Sequence, residues 1–243
     1  MIITNTSFAI NFEPLDDCRK KFMLNADILK PCFSEPTFLP IPDNVPDEIP
    51  RVTCQTTHGH SELVFTKSSL HFNTAYDNVY QYDWDKCKIY LQSKINLLMD
   101  LLYRMECKLF FSGLNCQVLF ESQSNDGTKD LVDKFSTVST KSPIFDFGQK
   151  IVLVFDKTYF INYSINNIRL YDSNNYKSGL RPGFLSKQDK NEIGVVIDIN
   201  DRYDFNYNTD FSSNPQKIRK ILDLADNCIG NLNQFIDCME LKI

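Results

Sequence analysis

All three histidines of the chain fall within one stretch, TTHGHSELVFTKSSLHFNTAYD at 56–77, as His58, His60 and His71. Two imidazoles one residue apart, with a third downstream, are residue types that could ligate a metal. A structural zinc site asks for four ligands, commonly with cysteine among them, and Cys54 is the nearest thiol. The neighbouring residues favour a different reading. Gly59 suits the tip of a tight turn, and Leu63 with Phe65, then Leu70 with Phe72, alternate with more polar positions. The stretch therefore reads as a hairpin running into a third strand, with His58 and His60 beside an exposed turn. No metal is assigned to it.

Eight cysteines offer thiol chemistry, but no two of them form a C-x-x-C pair. A catalytic thiol must be ionised by a histidine close in space, and no local signature of such a site surrounds any of them. They fall inside apolar patterns, as reduced and buried thiols do. Carboxylates are the next candidates. Asp198, Asp201 and Asp204 in DINDRYD, with Asp146 and Asp156, are the groups that hold a divalent metal for phosphodiester cleavage. Acidic residues at hairpin ends are equally ordinary turn chemistry. The D-F-G at 146–148 stands without a glycine-rich loop or a lysine strand, and neither a P-loop nor a dinucleotide fingerprint is present. No cofactor is implied.

One segment has the composition of a binding loop. DSNNYKSGLRPGFLSKQDKNE, at 172–192, carries Lys177, Arg181, Lys187 and Lys190, with Tyr176 and Phe184 between them. Cations interleaved with rings suit a partner protein or a nucleic-acid backbone, and long loops in compact domains are often functional.

These groups need a scaffold, and its elements are legible in outline. SFAINFE at 7–13 alternates apolar and polar residues as a strand does. Residues 14–50 hold seven of the ten prolines, which predicts an extended arm packed on the body through Phe33, Phe38, Leu39 and Ile41. Strands follow at 51–56, 62–66 and 69–75. A helix is then expected over 83–106, with Asp83 as its N-cap. The second half repeats the scheme. KLFFSGLNCQVLFES (108–122) is strand-like, with Gly113 marking a bulge. LVDKFSTVS fits a short helix or a loop, and KIVLVFD (150–156) is a fully apolar strand. Residues 159–172 make one long strand or two, and 192–199 with 202–208 read as a last hairpin. A second helix is expected over 215–240, with Pro215 at its first position and Gly230 allowing a close backbone approach. Its seven-residue apolar period fits a coiled-coil seam, but an amphipathic helix lying on its own sheet is the preferred reading.

Composition narrows the function classes. A chain of 243 residues with 42% hydrophobic residues can bury a sizeable core. A net charge of −5 argues against a dedicated duplex-DNA binder, which needs a basic face. No signal peptide or membrane span is read, so a cytoplasmic location is expected.

The arm and the residues after it carry a family resemblance. The early FEP, the prolines leading into IPRV, the glycine-tipped hairpin, the LHFN..YD run and the long helix that follows resemble a sporadically distributed family of uncharacterised bacterial proteins. The second half matches that family in layout only. The resemblance supplies no catalytic residues. Its patchy distribution implies genes that travel with mobile elements or defence loci.

The expectation is an α+β fold, with antiparallel sheet and two long helices, divisible into βββα-type halves at 1–106 and 107–243 within one compact unit. The function expected is a non-enzymatic cytoplasmic protein-interaction component, a homo- or hetero-oligomer, of an antiviral defence or toxin–antitoxin-like system. A metal-dependent enzyme acting on nucleic acid, using Asp198, Asp201 or Asp156, is the alternative. Binding would run through Tyr176, Lys177, Arg181, Lys187 and Lys190.

Overall fold

The computed structural model describes residues 1–42, 45–170 and 190–238. In chain order the elements are β1 (Ile2–Phe12), α1 (Cys18–Asn25) with a 3-10 turn at Ala26–Leu29, β2 (Thr37–Phe38), β3 (Val52–Gln55), β4 (Ser61–Phe65), β5 (Ser69–Ala75) and α2 (Trp84–Arg104). The second half continues with β6 (Leu109–Phe120), α3 (Gly127–Phe135), β7 (Gly148–Phe155), β8 (Tyr159–Leu170), β9 (Lys190–Asn200), α4 (Arg202–Tyr207), α5 (Pro215–Gly230) and α6 (Leu232–Cys238).

Among the described residues nine strands form one sheet in the order β2-β3-β4-β5-β1-β6-β9-β8-β7, and every neighbouring pair is antiparallel. The fold is therefore α+β. The first strand of the chain becomes central because β5 pairs on one side of it and β6 on the other. Strand alternation then sorts the side chains by face. Phe8, Ile10, Phe72, Leu114, Cys116, Ile161, Tyr163, Val195 and Ile197 point to one side and are buried there. The apolar stripes of α2 (Cys87, Leu91, Ile95, Leu98, Leu102) and α5 (Ile218, Ile221, Leu222, Ala225, Cys228) close the same core. Trp84 Nε1 donates to Asp226 at 2.9 Å and Lys88 Nζ donates to the same carboxylate at 2.5 Å, tying the two helices together.

Several expectations need correction. The arm is not extended throughout: α1 and its 3-10 turn occupy the proline-free run between Pro14 and Pro31, burying Cys18, Phe22 and Leu29. Beyond Pro31 the chain does lie on the body. Phe33 bridges Thr56, β2 pairs β3, and Arg19 donates to the carbonyls of Leu39 (3.1 Å) and Ile41 (2.6 Å). Arg51 is fully buried and donates to the carbonyls of Val45, Pro46 and Ile49, pinning the rest of the arm.

The helix expected over 215–240 ends at Gly230, where Asn231 caps it, and α6 restarts after that. A Cβ on Gly230 would meet nothing within 4 Å, so this glycine serves no close approach. Gly113 marks no bulge: it pairs in register with Ala9, and its missing side chain lets the backbone of β9 come near. Residues 202–208, read as a strand, form α4. The residues of 159–170 are one strand, and the apolar strand read at 150–156 is β7, at the outer edge of the sheet.

Candidate functional site

The same alternation that buries one face of the sheet leaves the other uncovered by any long helix among the described residues. Its residues line up across the strands by register. One row runs Glu62 (β4), Asn73 (β5), Ser7 (β1), Asn115 (β6), Asp198 (β9) and Asn162 (β8). The next row runs His71, Ala9, Gly113, Asn200 and Phe160 across the last five of those strands. On the other side, Asn5, Gln117, Val196 and Ser164 form a third. The centre of the face is thus made of short, mostly uncharged side chains.

Two shallow depressions lie on it. The first, about 420 Å³, is floored by Asn5, Ser7, Asn73, Asn115 and Gln117, with Gln55 and His60 at its rim. The second, about 240 Å³, lies over Ala9, Gly113, Asn115, Asp198 and Asn200. A Cβ on Gly113 would stand 3.0 Å from Cβ of Asn200, so glycine is what lets the floor of the second one close up. Helix α4 walls its end. Tyr203 packs on Phe160 at 5.2 Å, Phe205 on Phe111 at 5.0 Å, and the Arg202 guanidinium lies 5.1 Å from the Phe111 ring.

The hydrogen bonding is that of amides and hydroxyls. Ser7 Oγ donates to Asn73 Oδ1 at 2.6 Å. Asn162 Nδ2 and Asn200 Nδ2 both donate to Asp198 Oδ2, at 3.0 and 3.1 Å. Burial pushes the Asp198 carboxyl up, and the two amide donors only partly oppose that shift. Such a surface can exchange hydrogen bonds with a ligand's amides or hydroxyls. Where it sets a hydroxyl beside an imidazole, at Ser69 and His71, the serine is buried and is also bonded to Thr66 Oγ1 at 2.9 Å. The thiols of Cys54, Cys87, Cys116 and Cys228 lie buried in the core, and burial raises each of them, Cys87 to about 12, so they stay protonated.

The residues singled out in the sequence are scattered. His58 is exposed at the turn whose tip, Gly59, has φ +72°. His60 lies 3.6 Å from Asp77, and His71 shares a hydrogen bond with Ser69 Oγ at 3.1 Å on the uncovered face. Among the described residues no group of three or more His, Cys, Asp or Glu is placed to hold a metal ion. Asp198 faces the open side, whereas Asp201 is fully buried and accepts from Ser112 N (2.6 Å), Ser112 Oγ (3.2 Å) and Ser213 Oγ (2.5 Å). Asp156 sits in the β7–β8 turn, and Asp146 pairs with Arg169 at 2.5 Å. The carboxylates therefore do not converge. Tyr176, Lys177, Arg181 and Lys187 lie outside the described residues. Lys190 opens β9 and is paired with Glu192 at 3.3 Å and Glu121 at 3.9 Å.

The uncovered face carried a signal in the sequence that motif reading passes over. Ser7, Ala9 and Asn11 in β1, then Gly113, Asn115 and Gln117 in β6, fill every second position between buried residues. Small or amide side chains recurring at period two in separate strands become one surface only when register aligns them. No protein-family model matches this chain, and no curated protein matches it.

Proposed function

We propose that the chain is a non-enzymatic protein-interaction component that receives a protein partner on the uncovered face of its sheet. One observation carries this reading: the centre of that face, over five adjacent strands, is built from Ser7, Ala9, Asn73, Gly113, Asn115, Asn162 and Asn200. Protein interfaces carry about one direct hydrogen bond per 100–200 Å² of buried area, and the amides and hydroxyls of this face can supply them. Short side chains also have little rotamer freedom to lose, so ordering them against a partner costs little. The polar atoms supply directional hydrogen bonds, and Ala9 with Gly113 allows close approach.

In this reading the chain works in the cytoplasm, and the family resemblance sets it in a defence or toxin–antitoxin-like system. The halves 1–106 and 107–243 are then two βββα-type units built about the β1–β6 pair, β3–β4–β5 preceding α2 and β7–β8–β9 preceding α5. The separation of Asp198 from Asp201 weighs against the alternative of a metal-dependent nuclease.

Capture from native-host extract followed by mass spectrometry tests the reading. The wild-type chain should retain a defined protein that the Ser7→Arg/Asn115→Arg variant loses, with the far-UV circular dichroism unchanged. Retention of the same proteins by both chains would overturn the assignment to this face.

A further inference from the structure

The two edges of the sheet are treated differently by the sequence. At one edge β2 is two residues long, with Pro36 before it and Pro40 soon after. Natural sheets blunt their edges in such ways, because a free edge is a template for another strand. At the other edge β7 runs for eight residues, Gly148–Phe155, with no proline and Lys150 as its one charge. Among the described residues no backbone group bonds to its outer side. Val152 and Val154 are 49% and 48% exposed on the open face, while Ile151, Leu153 and Phe155 pack against the core on the other. An apolar edge of this length, left free, would aggregate.

We infer that a second copy of this chain docks antiparallel along β7, joining two sheets edge to edge about a two-fold axis at Leu153. The strand is complementary to itself in that register. A two-fold perpendicular to the sheet sets residue i against residue j on the same face, and j against i. Centred on Leu153, it places Val152 against Val154 and Ile151 against Phe155, each twice. It also places Lys150 against Asp156. Both are exposed, and neither forms an ion pair with a described residue. Moving the axis to Val152 sets Lys150 against Val154, and moving it to Val154 sets Asp156 against Val152. Charge therefore selects Leu153. Two partly closed cores, each ending in Ile151, Leu153 and Phe155, become continuous across the join.

Sedimentation and light scattering of the full chain test this. The wild type should have twice the chain mass at about 100 μM. Val152→Lys/Val154→Lys, which puts four ammonium groups in the join, should have the mass of one chain with an unchanged far-UV spectrum. Lys150→Asp should raise the dimer dissociation constant about tenfold or more, because symmetry introduces each like-charge contact twice. Lys150→Asp combined with Asp156→Lys should restore it. Position 156 has φ 51°, and the neighbouring Lys157 already holds φ 48°, so lysine is tolerated in that turn. A wild type with the mass of one chain, a dimer indifferent to the paired lysines, or a charge swap without recovery would each overturn the proposal. Ser7→Arg/Asn115→Arg should leave the dimer intact, so failure here and failure of the open-face reading are told apart.

Discussion

Asp201 is a carboxylate with no exposed surface and three hydrogen-bond donors, and the two facts pull its proton affinity in opposite directions. Loss of solvent dominates, so the carboxyl is raised despite the bonds from Ser112 and Ser213. A folded value above the unfolded one means that the native state binds the proton more tightly. The resulting stability is fully present below the ordinary carboxylate range and declines as pH rises through the raised folded value. In Asp201→Asn that decline should vanish, because an amide can still accept from Ser112 N and donate to a serine hydroxyl. Urea midpoints of both proteins between about pH 4 and pH 8 check it. The wild-type-minus-variant difference should fall with pH, and parallel curves would contradict the assignment. Asp198 shifts in the same sense but is present in both proteins. Neither role was legible in DINDRYD, since one residue lies within a strand on the open side and the next carboxylate is turned inward by partners about 90 and 12 positions away.

At the scale of elements, two helical glycines should respond oppositely to the same change. Gly127 begins α3, capped by Asp126, and a Cβ there would stand 2.6 Å from the carbonyl oxygen of Glu192 in β9. That neighbour is backbone and cannot rotate away. Gly127→Ala should destabilise by about 1–3 kcal/mol, the usual cost of overpacking. Gly230→Ala, with open space around it, should stabilise by up to about 1 kcal/mol through helix propensity. Urea titration of the two variants measures both signs. Elements with one strong period were readable: α2 from its apolar stripe, β5 from its alternation. Helix α4 was not. Tyr203, Phe205 and Tyr207 alternate as a strand would, yet in a helix the first and third stack four residues apart, at 4.9 Å, while Phe205 turns toward Phe110 and Phe111. Period two over five residues fits both, and only the tertiary neighbours decide. Helix α1 was hidden because the prolines around it coloured the whole of 14–50.

At the scale of the molecule, the sheet does not stop at the boundary near residue 106. Strand β1 takes its second partner, β6, from beyond that boundary, pairing from Ile2 with Leu119 to Phe12 with Leu109 through two register shifts. Expressed alone, 1–106 would expose the long edge of a central strand, and 107–243 would expose that of β6. Neither fragment should give a cooperative unfolding transition by circular dichroism, and co-expression of the two should restore one. A single fragment that unfolds cooperatively would show that its half is autonomous. Which elements exist was largely written in local periodicity. That one face of their common sheet carries no long helix among the described residues was not, because it depends on where every helix lands.

The placement of β1 also has a consequence in time. Its first partner, β5, has been synthesised by residue 75, but β6 arrives only with residues 109–120, after the whole of α2. At about 5–20 residues per second, roughly forty intervening residues leave one side of β1 without its partner for ~2–8 s on the ribosome. Helix α2 is made during that interval and can close over Phe8 and Ile10 at once, shielding the apolar face while the edge stays free. What the nascent chain must be protected from is then chiefly strand pairing with another copy, not the burial of its core.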